Sequence, residues 1–113
     1  MIQEVVKQIE ANEAVDVEFT VPRAGVFTTA LIHLTNAPTT SEDLVIYFRS
    51  SLGEMFDTIV YSIDPSVDAL TDIPFNPPVA LPMNQTDKII VRYPNTDGNE
   101  IGVVLKGLDS AKF

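Results

Sequence analysis

The sequence predicts an all-β fold, a jelly-roll-like antiparallel β-sandwich of about eight strands, and three features lead to this class. Apolar and polar residues alternate with a period of two through much of the chain. Turn-forming residues such as Pro22, Gly53 and the Asp97-Gly98 pair separate these segments. The chain has 113 residues, 45% of them hydrophobic. We therefore expect residues 1–113 to form a single β-sandwich domain.

The first half of the chain contains four predicted strands after its N-terminal segment. Residues 15–21 alternate strictly, with valine and phenylalanine on one face. Residues 26–34 are apolar on both faces, which predicts a central strand covered on both sides. Two further strands are predicted at 44–49 and 57–63, and the sequence SSLGEM at residues 50–55 forms the turn between them.

The second half is interrupted by prolines before regular alternation returns. Four prolines lie within residues 64–78, and proline cannot donate a hydrogen bond to a neighbouring strand. This segment therefore predicts an edge strand or extended crossover around residues 70–75, followed by a short strand at 79–83. Strands at 88–93 and 101–106 follow, and in the last of them three apolar residues face inward: Ile101, Val103 and Leu105.

The N-terminal segment is compatible with two structures. Ile2, Val5, Val6 and Ile9 have the spacing of one helical stripe, but all four are β-branched and suit a strand. Residues 1–12 thus form either an N-terminal arm or an edge strand of the sandwich. The same four residues are candidate interaction residues, because an apolar terminus can dock on a neighbouring subunit by strand addition. The alternative is that the segment pairs within its own sheet.

Composition argues against several partners. The formal net charge of −9 repels phosphate backbones and anionic lipids, so we expect no nucleic-acid or membrane binding. The N-terminus lacks the pattern of a signal peptide, and no stretch approaches the roughly 20 apolar residues that cross a bilayer. The absence of cysteine removes disulfides, thiolate catalysis and cysteine-based metal sites.

The sequence carries no recognisable catalytic set. His33 is the only histidine and lies in the most apolar predicted strand, and no serine or threonine near it belongs to a nucleophile signature. We interpret His33 as a structural residue. The prediction is a protein that is not an enzyme, with no cofactor and no small-molecule substrate.

Two groups of acidic residues could hold calcium. Asp64, Asp68 and Asp72 recur every four residues, and Asp97, Asn99 and Glu100 cluster in a later loop. Neither group has EF-hand spacing, and aspartate is common in turns because it hydrogen-bonds its own backbone. Asp64-Pro65-Ser66 in particular ends a predicted strand. We favour a turn role and predict no resident metal, with Asp64, Asp68 and Asp72 as the alternative calcium ligands.

Two residues of the 44–49 strand are further candidates for an interaction surface. Tyr47 and Arg49 share the face opposite the apolar residues of this strand, so both are expected at the surface. Tyr47 could stack on a partner or lie on the sheet surface. The latter is the interpretation that we favour.

Three stretches carry a resemblance: APTTSEDLVIYF at residues 37–48, FDTIVYSIDPS at 56–66 and IIVRYPNTDGNEIGVVL at 89–105. In these stretches the chain resembles small β-sandwich virion proteins of tailed bacteriophages, similar to capsid decoration, or cement, proteins. Phe56 departs from the tyrosine that such chains usually have before the Asp-Thr pair. The resemblance implies a jelly-roll-like component of a phage particle and transfers no site residue beyond the turn motifs.

The resulting prediction is a capsid decoration protein that binds the outer surface of the mature phage head and stabilises it. Its expected partners are the major capsid protein and further copies of itself, as a homo-oligomer. Its expected location is the outer capsid surface of the virion, after synthesis in the host cytoplasm. The alternatives are another virion component, such as a head fibre, spike or host-recognition module, or a free carbohydrate- or calcium-binding β domain.

Overall fold

The computed structural model describes residues 2–20, 24–77 and 81–109. Predictions at Val21 and at residues 78–80 lie outside these ranges. The described chain contains nine β-strands and one 3-10 turn, Glu54–Phe56. The strands are β1 Ile2–Ile9, β2 Val15–Thr20, β3 Gly25–Leu34, β4 Leu44–Arg49, β5 Thr58–Ile63, β6 Asp72–Phe75, β7 Leu81–Met83, β8 Lys88–Tyr93 and β9 Ile101–Asp109. The predicted all-β class is confirmed.

The strands pair in a nested order that makes the fold a jelly roll. β1 pairs with β9, β2 with β8, β3 with β6 and β7, and β4 with β5, all antiparallel. Pairing of β3 with β9 and of β4 with β8 joins these hairpin-like units into two sheets. The first sheet has the order β1-β9-β3-β6, with β7 also beside β3, and the second has the order β2-β8-β4-β5. Such double-sheet folds built of two Greek keys are jelly rolls.

The core lies between the two sheets and follows the period-two pattern. Strand β2 alternates buried and exposed residues throughout, and β9 buries every second residue from Ile101. The largest fully buried side chains come from both sheets, and include Phe27, Leu34, Leu44, Ile46, Ile89, Tyr93 and Leu105. Burial of these apolar side chains is the main force that holds the sheets together.

The N-terminal segment is a strand. Its eight residues pair with β9 from Ile2–Leu108 to Ile9–Ile101, at the edge of the first sheet. The β-branched composition therefore outweighs the helical spacing, because a strand at this edge completes the hydrogen bonding of β9 and sends Ile9 into the core.

The proline-rich segment forms the edge predicted for it. β6 and β7 both pair with β3 and have no further neighbour on their other side among the described residues. Both segments are strands, and with them the described residues contain nine strands, where about eight were predicted. Phe75 on β6 stacks on Tyr61 of β5, with ring centroids 4.7 Å apart, and thereby connects the two sheets along this side.

Strand β3 differs from its prediction in one respect. It is central, between β9 and the β6–β7 edge, as expected. Its outer face is not covered, however, because none of the described residues pack over the first sheet: Leu31 is 41% exposed and His33 is also exposed. The only described helical segment is the single 3-10 turn, so the described residues include no helix that could span a membrane.

Candidate interaction surface

Turn segments from three distant parts of the chain meet at one end of the sandwich. The loops after β3, β5 and β8 lie together there and exchange hydrogen bonds through their side chains. Asp97 accepts hydrogen bonds from the backbone N–H groups of Thr39 at 2.7 Å and Thr40 at 3.0 Å, and from the Thr40 hydroxyl at 2.6 Å. One carboxylate thus fixes two successive residues of a distant loop.

Two further acidic residues complete this connection. Asp64 accepts hydrogen bonds from the Ser41 hydroxyl at 2.6 Å and from the backbone N–H of Ser66 at 2.9 Å. Glu42 accepts from the backbone N–H and hydroxyl of Thr96, at 2.8 and 2.7 Å. We call the set the loop clasp: Thr39, Thr40, Ser41, Glu42, Asp64, Ser66, Thr96 and Asp97.

The electrostatics of the loop clasp follow from these bonds. Hydrogen bonds from the hydroxyls of Ser41 and Ser66 hold the pKa of Asp64 below its usual value, and those from Thr40 and Thr39 do the same for the pKa of Asp97. Beside them, burial and then the charges of nearby carboxylates raise the pKa of Tyr93 to about 12. The carboxylates of Asp64 and Asp97 are therefore ionised, and Tyr93 is neutral, near pH 7.

The calcium alternative finds no geometric support here. Asp64 serves the clasp, whereas Asp72 on β6 contacts the His33 ring at 2.7 Å, so the two do not converge with Asp68. In residues 2–20, 24–77 and 81–109, no three acidic or histidine side chains are grouped so that they could hold a metal ion. The Asp64-Pro65-Ser66 motif acts as a turn, as predicted.

The second acidic cluster is also structural. Asn95 donates from its side-chain amide to the Glu13 carbonyl at 2.7 Å and to the Asn99 carbonyl at 2.9 Å, and accepts the Asn99 N–H at 3.0 Å. Both asparagines are buried. Gly98 has φ of 71°, the positive value expected of the Asp97-Gly98 turn.

The structure separates the four N-terminal candidates for interaction. Val6 is 67% exposed on the outer face of the first sheet, and Val5 is half-buried against the core. Ile9 is a core residue with 4% exposure, so it offers no surface to a partner in the folded chain, because it lies on the inward face of β1. The side chain of Ile2 is outside what the structure describes. Val5, Val6 and Ile9 therefore do not share one exposed face.

Tyr47 and Arg49 lie on the outer face of the second sheet and have partners within the chain. The Arg92 guanidinium lies over the Tyr47 ring, 5.7 Å from its centroid. Tyr47 is also directly opposite Ile90, which is fully buried although it faces outward. Arg49 Nε lies 3.6 Å from Asp57 Oδ2. This arrangement agrees with a tyrosine that lies on the sheet surface.

Among the described residues, the exposed large apolar side chains are most concentrated at the opposite end, on the β4–β5 hairpin. Four large side chains are exposed within eight residues, and Met55 at 95% and Leu52 at 69% are the most exposed of them. We call this group the apolar tip: Leu52, Met55, Phe56 and Ile59. Contiguous exposed apolar residues mark interaction sites, whereas scattered ones carry no such meaning.

The apolar tip is held in place by polar contacts to its backbone. Asp57 accepts the Ser50 N–H at 2.8 Å, and Asp87, from the β7–β8 turn, accepts the N–H groups of Ser51 at 2.8 Å and Asn84 at 2.7 Å. Gly53, with φ of 124°, then leads into the 3-10 turn. These contacts order the hairpin although its apolar side chains are exposed.

Asp87 is the central residue of this support. It is buried, with 1% exposure, and burial alone would raise the pKa of its carboxyl. The backbone donors of Ser51 and Asn84, with the Ser51 hydroxyl, outweigh burial and lower the pKa of Asp87. A buried carboxylate thus connects two loops and sets the orientation of the tip.

Sequence reasoning missed the apolar tip. It assigned residues 50–55 to a turn, which the 3-10 turn at Glu54–Phe56 confirms in outline. The available signal was the composition of that turn, because Leu52, Met55 and Phe56 are large apolar residues where turns usually carry polar ones.

No protein-family model matches the chain, and no curated protein matches it significantly.

Proposed function

We propose that this chain is a non-enzymatic structural protein of a tailed-bacteriophage virion, a capsid decoration protein that docks on the major capsid protein through its apolar tip. The phage assignment is supported by the resemblance in residues 37–48, 56–66 and 89–105. The docking role is supported by one structural observation, the ordered and exposed apolar tip.

The physical case for docking is preorganisation. Ordering a loop on binding costs free energy, and a loop that is already ordered avoids that cost. The backbone contacts of Asp57 and Asp87 supply this order before any partner arrives. Phe56 and Met55 are the side-chain types that fill pockets at the centre of protein interfaces.

A decoration role also fits the remainder of the molecule. The loop clasp uses its polar groups to join loops, which leaves a stiff module with one apolar end. A module that binds many equivalent positions on the outer surface of a head can stabilise the head by bridging its subunits. The proposed location is that outer surface, after synthesis in the host cytoplasm.

The first experiment is the copy number of the chain in purified phage particles, by quantitative mass spectrometry. Decoration predicts many copies in a fixed ratio to the major capsid protein. A handful of copies would assign the chain to a fibre, spike or other vertex component, and none would remove it from the virion.

The second experiment tests the surface, with particles that lack the protein and purified chain added back. Phe56→Ser should weaken particle binding by about tenfold or more, because a central interface aromatic is lost. The matched control is Val67→Ser, which removes another exposed apolar side chain at the loop-clasp end. Equal binding by both variants would contradict docking through the tip.

A further inference from the structure

We propose that the outer face of the first sheet is an interface between two copies of this chain. The face consists of rows of residues that lie side by side across the strands. One row is apolar across four strands, because Val6 pairs with Val104, Val104 with Leu31, and Leu31 with Pro74. A second apolar row lies nearer the chain ends and contains Leu108, Val26 and Pro82.

A groove adjoins the first apolar row. The neighbouring row runs from Gln8 through Gly102 and His33 to Asp72. Gly102 leaves the sheet surface open there, and a Cβ added to it would meet no atom within 4 Å. Depressions of about 330 and 300 Å³ lie on this face, and Gly102, His33 and Val104 line both of them. The face thus carries an apolar ridge beside a groove.

The sequence of β3 indicates that this face is covered in use. Residues apolar on both sides of a strand are typical of sheets buried on both faces. The described residues of a single copy cover only the inner face, and Val6 is 67% and Leu31 41% exposed on the outer one. A second layer over this face would remove its two apolar rows from water, and the described part of the chain does not supply one.

Charge indicates that the second layer is another copy of the chain. Among the described side chains that lie on this face or line its depressions, the charges leave −1 when His33 is counted as neutral, whereas the whole chain carries −9; the charged residues are Glu4, Asp72, Glu100, Lys7 and Lys106. Most of the excess negative charge therefore lies on the other surfaces of the chain. Those acidic surfaces of two copies would repel each other, whereas this face would not. A basic partner would select an acidic face, and a nearly neutral apolar face instead fits another of the same kind.

The ridge and groove are also self-complementary. A twofold axis parallel to the two rows and midway between them would place the ridge of each protomer over the groove of its partner, with Val104 over Gly102. Twofold interfaces bring the same patch of both subunits together in this reciprocal way. The same patch on two copies can therefore form the whole interface, and no different partner protein is needed.

The area of the face indicates how strong the contact between two copies can be. Four strands about 4.8 Å apart and six residues of about 3.3 Å each give a footprint near 400 Å² on each protomer, or about 800 Å² buried in total. This is below the roughly 1,200 Å² of standard stable interfaces, so we expect a weak dimer. It should be largely dissociated at about 1 μM and largely formed at about 1 mM.

Sedimentation of the wild-type chain and three variants over this concentration range tests the interface. Leu31→Lys introduces a charge that must lose its water when the apolar row is covered, so it should raise the dissociation constant about tenfold or more. Gly102→Thr fills the groove and should do the same, while the melting temperature of the dilute monomer stays equal or rises, because threonine suits a strand better than glycine. The matched control, Ile59→Lys, changes an exposed residue of the apolar tip and should leave the dimer intact.

The outcomes separate clearly. Loss of the dimer in Leu31→Lys and Gly102→Thr, with retention in Ile59→Lys, supports the interface. A wild-type chain that remains monomeric at about 1 mM overturns it. Retention of the dimer by Gly102→Thr also overturns the proposed interface, whether or not Ile59→Lys forms a dimer. Particle binding through the tip is measured separately, so failure of one proposal does not entail failure of the other.

Discussion

The two ends of the sandwich use similar acidic residues for different structural purposes. At the loop clasp, aspartate and glutamate join loops that are far apart in the sequence, and nearly every polar group of the motif has a partner inside the chain. At the apolar tip, Asp57 and Asp87 bind the backbone instead, and large apolar side chains remain exposed. A conspicuous motif can thus be purely structural, while an ordinary-looking turn holds the candidate surface.

The largest effect is expected at the carboxylate that supports the tip. Asp87→Ala leaves the N–H groups of Ser51 and Asn84 without their acceptor in a partly buried site. The cost should be about 2–4 kcal/mol of unfolding free energy, because each unpaired donor carries a desolvation penalty. Urea unfolding followed by circular dichroism measures it, and a change below about 0.5 kcal/mol would show that Asp87 does not hold the tip.

An intermediate effect is expected from acid at the loop clasp. The pKa values of Asp64 and Asp97 are lower in the folded chain than their ordinary value of 3.8. Above about pH 5 these two carboxyls are ionised in the folded and in the unfolded chain, so the stabilisation by the hydrogen bonds to them is complete there. It is lost as pH falls from about 4 through the lowered folded pKa values, because the unfolded chain binds protons first.

Melting temperatures from pH 7 to pH 2 test this behaviour. The melting temperature of the wild-type chain should decrease as the pH is lowered below about 4. Asp97→Asn should melt lower than the wild type at pH 7 and show a smaller loss on acidification, since it lacks one titrating group of the clasp. Parallel curves for the two proteins would mean that the clasp bonds do not favour the ionised carboxylate.

The smallest effect on stability is expected at the tip itself. Met55→Ser removes a side chain that is 95% exposed, so the free energy of unfolding should change by less than about 0.5 kcal/mol. Denaturant unfolding checks this, with Asp87→Ala as the destabilised reference. A large loss would show that the tip residues stabilise the fold, which would remove the contrast between the two ends.

Sequence reasoning succeeded where the controlling interactions were local. Alternation in residues 15–20 and 101–105 correctly predicted which side chains face inward, because the period of a strand is set by its own backbone. Turn chemistry was equally local, so Asp64 and Gly98 were interpreted correctly. The same reasoning could not show that Asp97 binds Thr39 and Thr40, since 57 residues separate Asp97 from Thr40.

The alternation of apolar and polar residues could not predict which side chains are exposed to solvent. β3 is apolar on both faces, and only the arrangement of the sheets shows that its outer face lies open. Tyr47 covers Ile90 only because β4 and β8 are neighbours in this fold. Burial depends on what packs against a side chain, and the partners are distant in the sequence.

By itself, then, the sequence determined the β class, the inward faces of the alternating strands and the turn role of Asp64-Pro65-Ser66. These follow from backbone geometry within a few residues. The tertiary structure alone decided that residues 2–9 form an edge strand, that Ile9 belongs to the core, and that Leu52, Met55, Phe56 and Ile59 are left exposed together. The physical reason is that pairing and burial are settled between segments far apart in the chain, where no local pattern can specify the partner.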